Sequence, residues 1–331
     1  MDCKPKASAE DSLIARYFGP LATDPGAFGL GDDAAVLGPS AADLVVTTDA
    51  IVEGVHFLAS DPADTIARKA LRVNLSDLAA KGATPAGFVL TLALRAADDA
   101  WLKPFAHALG EDAALFGCRL LGGDTVSTPG PLTISITALG HVPAGKMVRR
   151  SGARPGDRVV VTGTIGDAAL GLDILKGGAV ASALADAASR EMLVGRYRVP
   201  QPRNALAKTL LDHAGAAMDV SDGLAGDLAK LCAASGVSAV IDAPAIPLSQ
   251  ATAGLLARGT VGVGTIVSGG DDYEILCTVP EAGFEAFAQA AEAAGVAISS
   301  IGIIIAGTAP PRFLDARGSE IALPRLSYSH F

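Results

Sequence analysis

The sequence predicts an α/β (α+β) protein with two domains. Its 331 residues suit about two domains of roughly 150 residues each. In both halves, β-branched apolar runs alternate with helical apolar patterns, which is typical of mixed α/β architecture. A polar, basic stretch that contains glycine and proline interrupts this pattern at residues 143–157, and such stretches mark domain junctions. We therefore expect one domain over residues 1–142 and a second over residues 143–331.

The first half opens with an apolar run that ends in polar residues. Residues 44–47 form a run rich in β-branched residues and are followed closely by Asp49, so we expect a buried strand with a polar tip. A helix is predicted over residues 61–81, where Asn74 and Asp77 share one face because they are three residues apart. Further strands are predicted at 86–94 and 132–139, and a further helix at 98–116.

The second half again mixes strands and helices. It begins with a predicted strand at residues 158–162, and the glycine-containing turn at 163–166 leads into a helix. The N-terminus of such a helix can hold a phosphate, but a plain strand–turn–helix linker fits the sequence equally well. Further helices are predicted at 185–195, 203–214, 222–234, 250–258 and 283–294, and further strands at 217–220, 238–241, 274–279 and 299–305.

The composition excludes several classes of protein. The net charge of −9 argues against a nucleic-acid binder, which needs a basic face. No apolar stretch approaches the ~20 residues of a membrane helix, and the first residues do not resemble a signal peptide, so we expect a cytoplasmic protein without a membrane partner. The four cysteines are widely scattered and fit neither a zinc site nor a disulfide framework. We expect them to be core thiols.

Aspartate, glycine and small hydroxyl residues recur together in six short segments. Carboxylates, hydroxyls and amides provide the oxygen-rich coordination that Mg²⁺ prefers, and Mg²⁺ usually partners phosphates. Taken singly, several of these aspartates would be interpreted as turn residues or helix caps, but six such segments make coincidence a poor explanation. The segments therefore predict a site for several magnesium ions and a phosphate. They lie at residues 31–33, 47–49, 74–77, 122–125, 219–222 and 269–272.

Three other features have simpler alternative interpretations. Residues 140–147 imitate a phosphate loop, but Met147 stands where a magnesium-binding Ser or Thr is required and no helical pattern follows. A lone histidine such as His56 is more often a hydrogen-bonded structural residue than a functional one. Arg150, next to Arg149, is either an ordinary solvated residue or a clamp on nucleotide phosphates.

Together and in this order, the segments resemble the thiamine-monophosphate kinase family, within the superfamily of aminoimidazole ribonucleotide synthetase. The likeness extends over nearly the full length of the chain. Single motifs are shared across the superfamily, but residues 74–80, the pair His56 and Phe57, and the closing pair His330 and Phe331 are together specific. The matching stretches are 12–18, 31–34, 47–49, 54–57, 69–71, 74–80, 122–125, 150–153, 161–163, 219–224 and 269–274.

This resemblance implies an enzyme that transfers phosphate from ATP to thiamine monophosphate and makes thiamine diphosphate. Transfer would be direct, in line and dependent on magnesium, without a covalent enzyme intermediate. The implied fold is the two-domain aminoimidazole ribonucleotide synthetase-like fold. Its N-terminal domain binds magnesium and ATP and pairs with its counterpart in a homodimer, its C-terminal domain is α/β, and ATP lies where the domains meet.

The resemblance also implies a role for each matching residue. Several magnesium ions would be held by Asp33, Thr47, Thr48, Asp49, Asp77, Asp124, Asp219 and Asp222. Among these, the predicted catalytic residues are Asp49, Asp124 and Asp222. ATP would contact Gly123, Asp124, Arg150 and Ser221, and thiamine monophosphate would contact His56, Asp271 and Tyr328.

Two departures from the family pattern concern the substrate. The family commonly has a tryptophan a few residues before its final tyrosine, whereas Trp101 is the only tryptophan of this chain. The aromatic contact must therefore come from Tyr328 or another residue, or be weaker. Many members also have glutamate where this chain has Asp271, which has a shorter reach and the same charge.

Two alternatives stay open at the level of sequence. One is another ATP-dependent enzyme of the superfamily, acting on a ribonucleotide amide, a selenium compound or a carbamoyl group. Some of those enzymes use a reactive cysteine near the N-terminus, and Cys3 is a poor candidate because it lacks glycine neighbours and basic activation beyond Lys4. The other is a nucleotide- or thiamine-binding protein without catalysis.

Overall fold

The computed structural model describes residues 12–30, 41–323 and 326–327. These residues form two compact units, one within the ranges 1–78 and 84–144 and one within the ranges 79–83 and 145–331. Each unit holds one β-sheet with helices. The predicted mixed α/β class is therefore confirmed.

The described part of the first unit contains one four-stranded sheet. Its strands are β1 (Asp43–Val52), β2 (Thr84–Leu94), β3 (Arg119–Ser127) and β4 (Thr133–Val142), and its helices are α1 (Ala63–Ala80) and α2 (Asp99–Leu115), preceded by short helical turns at Ile14–Phe18, Gly19–Leu21 and Pro25–Leu30. The strand order is β1–β4–β2–β3. β4 pairs antiparallel with β1 and β2, whereas β2 and β3 run parallel. β1 and β3 are therefore the edges of the sheet.

The two long helices agree with their predicted positions. Helix α2 begins after Asp98, whose carboxylate accepts the Ala100 N–H at 2.9 Å, as a helix cap does. Helix α1 buries Leu71, Leu75 and Leu78 completely. These apolar positions recur every three to four residues, which is why the stretch folds as a helix with one packed face.

Strand β1 differs from its prediction. A buried strand was expected at residues 44–47, but β1 extends to Val52 and is an edge strand. Leu44 and Val46 are 48% and 57% exposed, and Asp49 is exposed within the strand rather than at its end. A run of apolar residues fits either a strand buried on both faces or one with an apolar face uncovered, and the second holds for this chain.

The second unit contains a six-stranded sheet among its described residues, with the order β10–β7–β9–β5–β8–β6. Only the β7–β10 pair is parallel in this sheet. Its strands are β5 (Arg158–Thr162), β6 (Ala216–Asp219), β7 (Ser238–Asp242), β8 (Ile275–Val279), β9 (Ile298–Ile305) and β10 (Arg312–Leu314). Its helices are α3 (Asp167–Leu175), α4 (Ala179–Ala183), α5 (Ala187–Arg198), α6 (Ala207–His213), α7 (Leu224–Ser235), α8 (Gln250–Ala257), α9 (Val263–Ser268) and α10 (Phe284–Ala293), with short turns at Asn204–Leu206, Ala243–Ala245 and Glu281–Gly283.

Helices cover both faces of this second sheet. Val159 of β5 belongs to one buried cluster with Leu228 of α7, whereas its neighbour Val160 belongs to another with Leu210 of α6 and Phe287 of α10. Consecutive strand residues point to opposite faces, so both faces of β5 are apolar. That continuous apolar pattern is what the sequence shows there. The short elements α4, α9 and β10 were not predicted, because so few residues carry little periodicity.

The described cysteines are core thiols, as predicted. Cys118, Cys232 and Cys277 are buried and unpaired. Burial raises the pKa of Cys118 and Cys277 to about 12 and that of Cys232 to about 11, which leaves these three thiols protonated and inert. Cys3 lies outside the described residues. Within the described ranges, no helix is long and apolar enough to cross a membrane.

Candidate active site

Two hydrogen bonds between β1 and α1 bring predicted magnesium residues together. The hydroxyl of Thr47 donates to the Asp77 carboxylate at 2.5 Å, and the backbone N–H of Asp49 donates to the side-chain oxygen of Asn74 at 3.1 Å. The Asn74 amide group donates to the carbonyl of Ala70 at 3.1 Å, which fixes the direction of its oxygen. The polar face predicted for the helix therefore lies along β1.

The chemistry of this group of side chains fits magnesium. The hydroxyl of Thr47 and the carboxylates of Asp49 and Asp77 offer only oxygen, which hard cations prefer. Over the described ranges, no cluster of three or more His, Cys, Asp or Glu residues could hold a metal without other ligands. Hydroxyls, water and phosphate oxygens would therefore complete the coordination, as is usual for Mg²⁺. Asp33, the first predicted ligand, lies outside the described residues.

Asp124 lies on the opposite face of the sheet from Asp49. Asp49 is aligned with Ile136 of β4, Ile136 with Leu90 of β2, and Leu90 with Gly123 of β3. Aligned residues share a face and consecutive residues alternate, so Asp124 faces the other way. The strands β1 and β3 are also three spacings apart, roughly 14 Å. Within one copy of the sheet, these two carboxylates are therefore too far apart to share an ion.

Thr48 lies on the same side of the sheet as Asp124. Its hydroxyl donates to the carbonyl of Ile136 at 3.2 Å and accepts from the hydroxyl of Thr137 at 3.0 Å. Strand alignment places several exposed apolar side chains on this side as well. We call this side the open face; its exposed apolar residues are Leu44, Val46, Val89 and Val126.

His56 is held in a tight turn that follows β1. Gly54, with φ of +83°, provides the left-handed residue of the turn, and its N–H donates to the Phe57 carbonyl at 2.7 Å. The N–H of Val52 donates to Nδ1 of His56 at 3.1 Å. Because Nδ1 accepts a hydrogen bond, the proton of the neutral ring is assigned to Nε2. The buried ammonium of Lys69 donates to the His56 carbonyl at 2.8 Å and holds the turn in place.

In the second unit, the segment that contains Ser221 and Asp222 links β6 to α7. The fully buried carboxylate of Asp227 accepts the N–H groups of both residues at 3.0 Å. Burial raises the pKa of Asp227, and a hydrogen bond from Lys230 opposes that rise. Lys230 also contacts Asp222 at 2.5 Å, so the charge of that predicted ligand is balanced within the protein. Asp219 is buried at the end of β6. Sequence reasoning missed Asp227 and Lys230, although their spacing of three on one helix was visible.

The loop at residues 269–274 carries Asp271, the predicted substrate residue. Asp271 and Tyr273 have φ values of +72° and +49°, which side chains rarely adopt. Their N–H groups donate to the carbonyls of Ser221 and Val220, both at 2.8 Å. The structure thus brings the predicted substrate residue Asp271 next to the predicted ATP residue Ser221.

Asp272 from the same loop caps helix α3. Its carboxylate accepts the N–H groups of Gly166 at 2.8 Å and Ala168 at 3.4 Å. Burial raises the pKa of Asp272 well above its ordinary value, and the nearby charge of Asp167 adds to that effect. The helix N-terminus that could hold a phosphate is therefore occupied by the protein's own carboxylate, and the linker interpretation of residues 163–166 is the right one.

The charge of Asp272 has a testable effect on stability. The pKa of Asp272 is raised in the folded protein, so the folded state binds the proton more tightly than the unfolded state does. The resulting stabilisation is complete below the pKa of the unfolded chain, near 3.8. It is lost as the pH rises through the pKa of the folded protein. Asparagine resembles the protonated carboxyl at every pH. We therefore expect the free energy of unfolding of Asp272→Asn to increase relative to that of the wild type as the pH is raised from about 4 to about 8. A difference independent of pH would show that Asp272 does not titrate in this way.

Glu274 is a second buried carboxylate that sequence reasoning missed. It is fully buried and accepts hydrogen bonds from the hydroxyl of Thr162 at 2.6 Å, from Arg196 at 2.5 Å and from Arg203 at 2.6 Å. Three acidic residues in front of the apolar run of β8 were the available signal, because carboxylates beside a buried strand need partners. The partners themselves lie more than seventy positions away along the chain.

The remaining predicted residues are less constrained. Gly123 lies within β3, a strand that was not predicted from the sequence. The side chain of Arg150 is exposed, and its carbonyl accepts the hydroxyl of Ser235 at 3.1 Å. Tyr328 lies outside the described residues.

Two family matches cover most of the chain. Residues 31–142 match the AIR synthase related protein N-terminal domain, and residues 154–311 match the AIR synthase related protein C-terminal domain. The class of protein that this fold and these carboxylate segments define is therefore that of the AIR synthase related proteins.

Comparison with individual proteins narrows this class. The chain is 46% identical to the thiamine-monophosphate kinase of Caulobacter vibrioides over 96% of this chain and 89% of the relative. A crystal structure of thiamine-monophosphate kinase from Stenotrophomonas maltophilia K279a is 40% identical, with a TM-score of 0.82 over 92% of this chain and 96% of the other. The structure of AaThiL complexed with AMPPCP and TMP is 28% identical, with a TM-score of 0.77 over 92% and 97%. The chain belongs to the thiamine-monophosphate kinase family.

Proposed function

We propose that the protein transfers the terminal phosphate of ATP to thiamine monophosphate and forms thiamine diphosphate. The observation that carries this proposal is the likeness to the Caulobacter vibrioides kinase, which extends over 96% of this chain. AaThiL, a structural relative, binds AMPPCP and TMP together, which is the pair of ligands such a transfer requires. The cytoplasmic location remains a prediction from the sequence.

The chemistry of the acceptor makes a strong general base unnecessary. A phosphate monoester with a second pKa of about 6 is mostly dianionic at neutral pH. The main obstacle is repulsion between two anions that approach in line, so positioning and charge neutralisation must overcome it. His56 fits this requirement, because its protonated Nε2 is a hydrogen-bond donor suited to an anionic substrate.

The residues proposed for the substrates and the metal come from both units. We retain Gly123, Asp124, Arg150 and Ser221 for ATP, and His56, Asp271 and Tyr328 for thiamine monophosphate. Several magnesium ions, and not one shared ion, would be held by Asp33, Thr47, Thr48, Asp49, Asp77, Asp124, Asp219 and Asp222. When bound there, magnesium supplies charge neutralisation for the phosphates. For Thr47, Asp49 and Asp77 this assignment is supported by two hydrogen bonds. The Thr47 hydroxyl donates to the Asp77 carboxylate, and the backbone N–H of Asp49 donates to Asn74 of the same helix.

A direct assay tests the reaction. The purified protein is incubated with ATP, Mg²⁺ and thiamine monophosphate, and the thiamine esters are separated. Thiamine diphosphate should accumulate with time and should require all three additions. Product no higher than in a reaction without enzyme would reject the proposed function. Binding of both ligands without product would instead identify a binding protein.

We also propose that two copies of the chain pair through the open face. Leu44 and Val46 on β1, Val89 on β2 and Val126 on β3 are exposed there. Several exposed large apolar side chains on one side of a sheet are typical of an interaction site on a protein. A second copy would cover it with an identical face, which is the usual symmetry of dimers.

The dimer proposal predicts an effect of one substitution. Val46→Asp places a charge at the most exposed apolar residue of the open face, so the variant should sediment as a monomer where the wild type sediments as a dimer. Analytical ultracentrifugation measures both. Leu115→Asp is the matched control, because Leu115 is 70% exposed but lies at the end of α2, away from the open face. A dimeric Val46→Asp variant, or a monomeric wild type, would contradict the proposal.

A further inference from the structure

We propose that Glu274 is a positioning residue: together with Arg196 and Arg203, it holds the loop at residues 269–274 so that Asp271 meets the thiamine-phosphate substrate. This inference rests on the proposed function. It concerns three residues that none of the sequence motifs assigned to a ligand. We call Glu274, Arg196 and Arg203 the carboxylate clamp.

The carboxylate clamp is a built, charged contact in the interior of the second unit. Both guanidinium groups are largely buried, with 15% and 24% of the Arg196 and Arg203 side chains exposed, and they share one fully buried carboxylate. Charge-assisted hydrogen bonds of this kind are strong and directional. Gly163 comes so close that a Cβ atom there would lie 2.1 Å from a Glu274 oxygen. The position of the Glu274 side chain is therefore tightly defined.

Backbone hydrogen bonds transmit this position to Asp271. The carbonyl of Glu274 accepts the N–H of Val220 at 2.7 Å, and the carbonyl of Val220 accepts the N–H of Tyr273 at 2.8 Å. The next contact along the loop is the N–H of Asp271, which donates to Ser221 at 2.8 Å. Three backbone hydrogen bonds, at Glu274, Tyr273 and Asp271, thus join the loop to the segment 220–221.

The conformation of the loop requires such an anchor. Left-handed backbone at a residue other than glycine costs of order 1–3 kcal/mol and persists only where the surroundings impose it. Asp271 and Tyr273 are both in this region within three residues. Aspartate adopts this backbone region more readily than most side chains do. A weakened clamp would let the loop relax and Asp271 turn away.

The clamp should affect one substrate more than the other. Ser221, the residue proposed for ATP, is held independently, because its N–H donates to the buried Asp227 at 3.0 Å. Asp271 lies three residues from Glu274 in the same loop, so a looser Glu274 acts on it directly. Loosening Glu274 should therefore disturb the thiamine-phosphate side of the site and leave the ATP side in place.

The test is Glu274→Gln, which keeps the shape of the side chain and removes its charge. The KM for thiamine monophosphate should rise by at least about tenfold, while the KM for ATP stays within about twofold. The matched control is Glu281→Gln, because Glu281 also accepts two hydrogen bonds from one arginine, Arg158, but is 63% exposed. The control should show wild-type constants. An equal rise in both KM values, or a loss of stability with unchanged KM values, would overturn the proposal.

A double variant separates positioning from a general loss of structure. Asp271→Asn keeps the left-handed preference and removes the charge that meets the substrate. If Glu274 acts through Asp271, adding Glu274→Gln to Asp271→Asn should raise the KM for thiamine monophosphate no further. Additive effects would show that the clamp acts by another route. If Glu274→Gln does not fold, Arg203→Lys, which removes the fork-shaped donor and keeps the charge, takes its place in both experiments.

Amide hydrogen exchange needs no ligand, so it tests the carboxylate clamp separately from the proposed function. Amide hydrogen exchange at Asp271 and Tyr273 should become at least about tenfold faster in Glu274→Gln than in Glu281→Gln. Unchanged exchange at both amides would overturn the clamp. Failure of the wild-type protein to make thiamine diphosphate would instead reject the proposed function and leave the exchange result standing.

Discussion

Replacing Asp49 with asparagine should lower the turnover number by about 10²–10³-fold, the effect typical of losing one fixed group that stabilises transition-state charge. Asp49 is the exposed carboxylate of β1 beside the Thr47–Asp77 pair. Asparagine has the same shape and keeps the backbone N–H that donates to Asn74. The fold should therefore persist while the negative charge is lost. Asp124→Asn should have an effect of similar size.

Steady-state kinetics and thermal unfolding of the same preparations check this result. Asp43→Asn is the control, because Asp43 is an exposed aspartate at the first position of the same strand. It should retain wild-type turnover and stability. Near-normal turnover in Asp49→Asn would remove Asp49 from the site. Loss of turnover together with loss of the folded state would show that the residue is structural.

The second large effect is expected for Gly123→Ala. A Cβ atom at this position would lie 1.9 Å from the carbonyl oxygen of Leu90, in the neighbouring strand β2. A backbone carbonyl cannot move away without breaking the pairing of β2 with β3. We expect the free energy of unfolding of the first unit to fall by about 3 kcal/mol. Since Gly123 immediately precedes Asp124, the KM for ATP should rise as well.

The neighbouring glycine provides a matched control for this prediction. A Cβ atom on Gly122 would meet nothing within 4 Å, although Gly122 lies in the same strand. Gly122→Ala should therefore unfold at nearly the wild-type temperature. If Gly123→Ala were as stable as Gly122→Ala, the close approach of β3 to β2 would be wrong. Thermal unfolding followed by circular dichroism distinguishes the two outcomes.

Most elements of the fold could be predicted from local patterns in the sequence. A helix was predicted over residues 98–116, and the structure has α2 at Asp99–Leu115, with Asp98 as its capping residue. The exposure of β1 could not be predicted in the same way. Whether Leu44 and Val46 are covered depends on what lies against the sheet, and a single sequence does not state that.

The candidate site was predicted only where its contacts follow from short spacings. Asn74 and Asp77 were placed on one helix face by their separation of three residues, and both contact β1. Asp272 and Glu274 were missed because their partners are distant: Gly166 lies 106 positions from Asp272, and Arg203 lies 71 positions from Glu274. Only the folded chain brings such groups together.

The cap on helix α3 also bears on how this protein discriminates among anions. The N-terminus of α3 has two N–H groups directed at the Asp272 carboxylate, so it offers no vacancy to a free phosphate. A kinase works in the presence of ATP, its products and inorganic phosphate, all of which are attracted to unoccupied helix ends. A helix N-terminus whose N–H groups already bind a carboxylate of the same chain does not compete for these anions. Anion selectivity in this unit therefore depends partly on Asp272, because its carboxylate already binds the N–H groups at the start of α3.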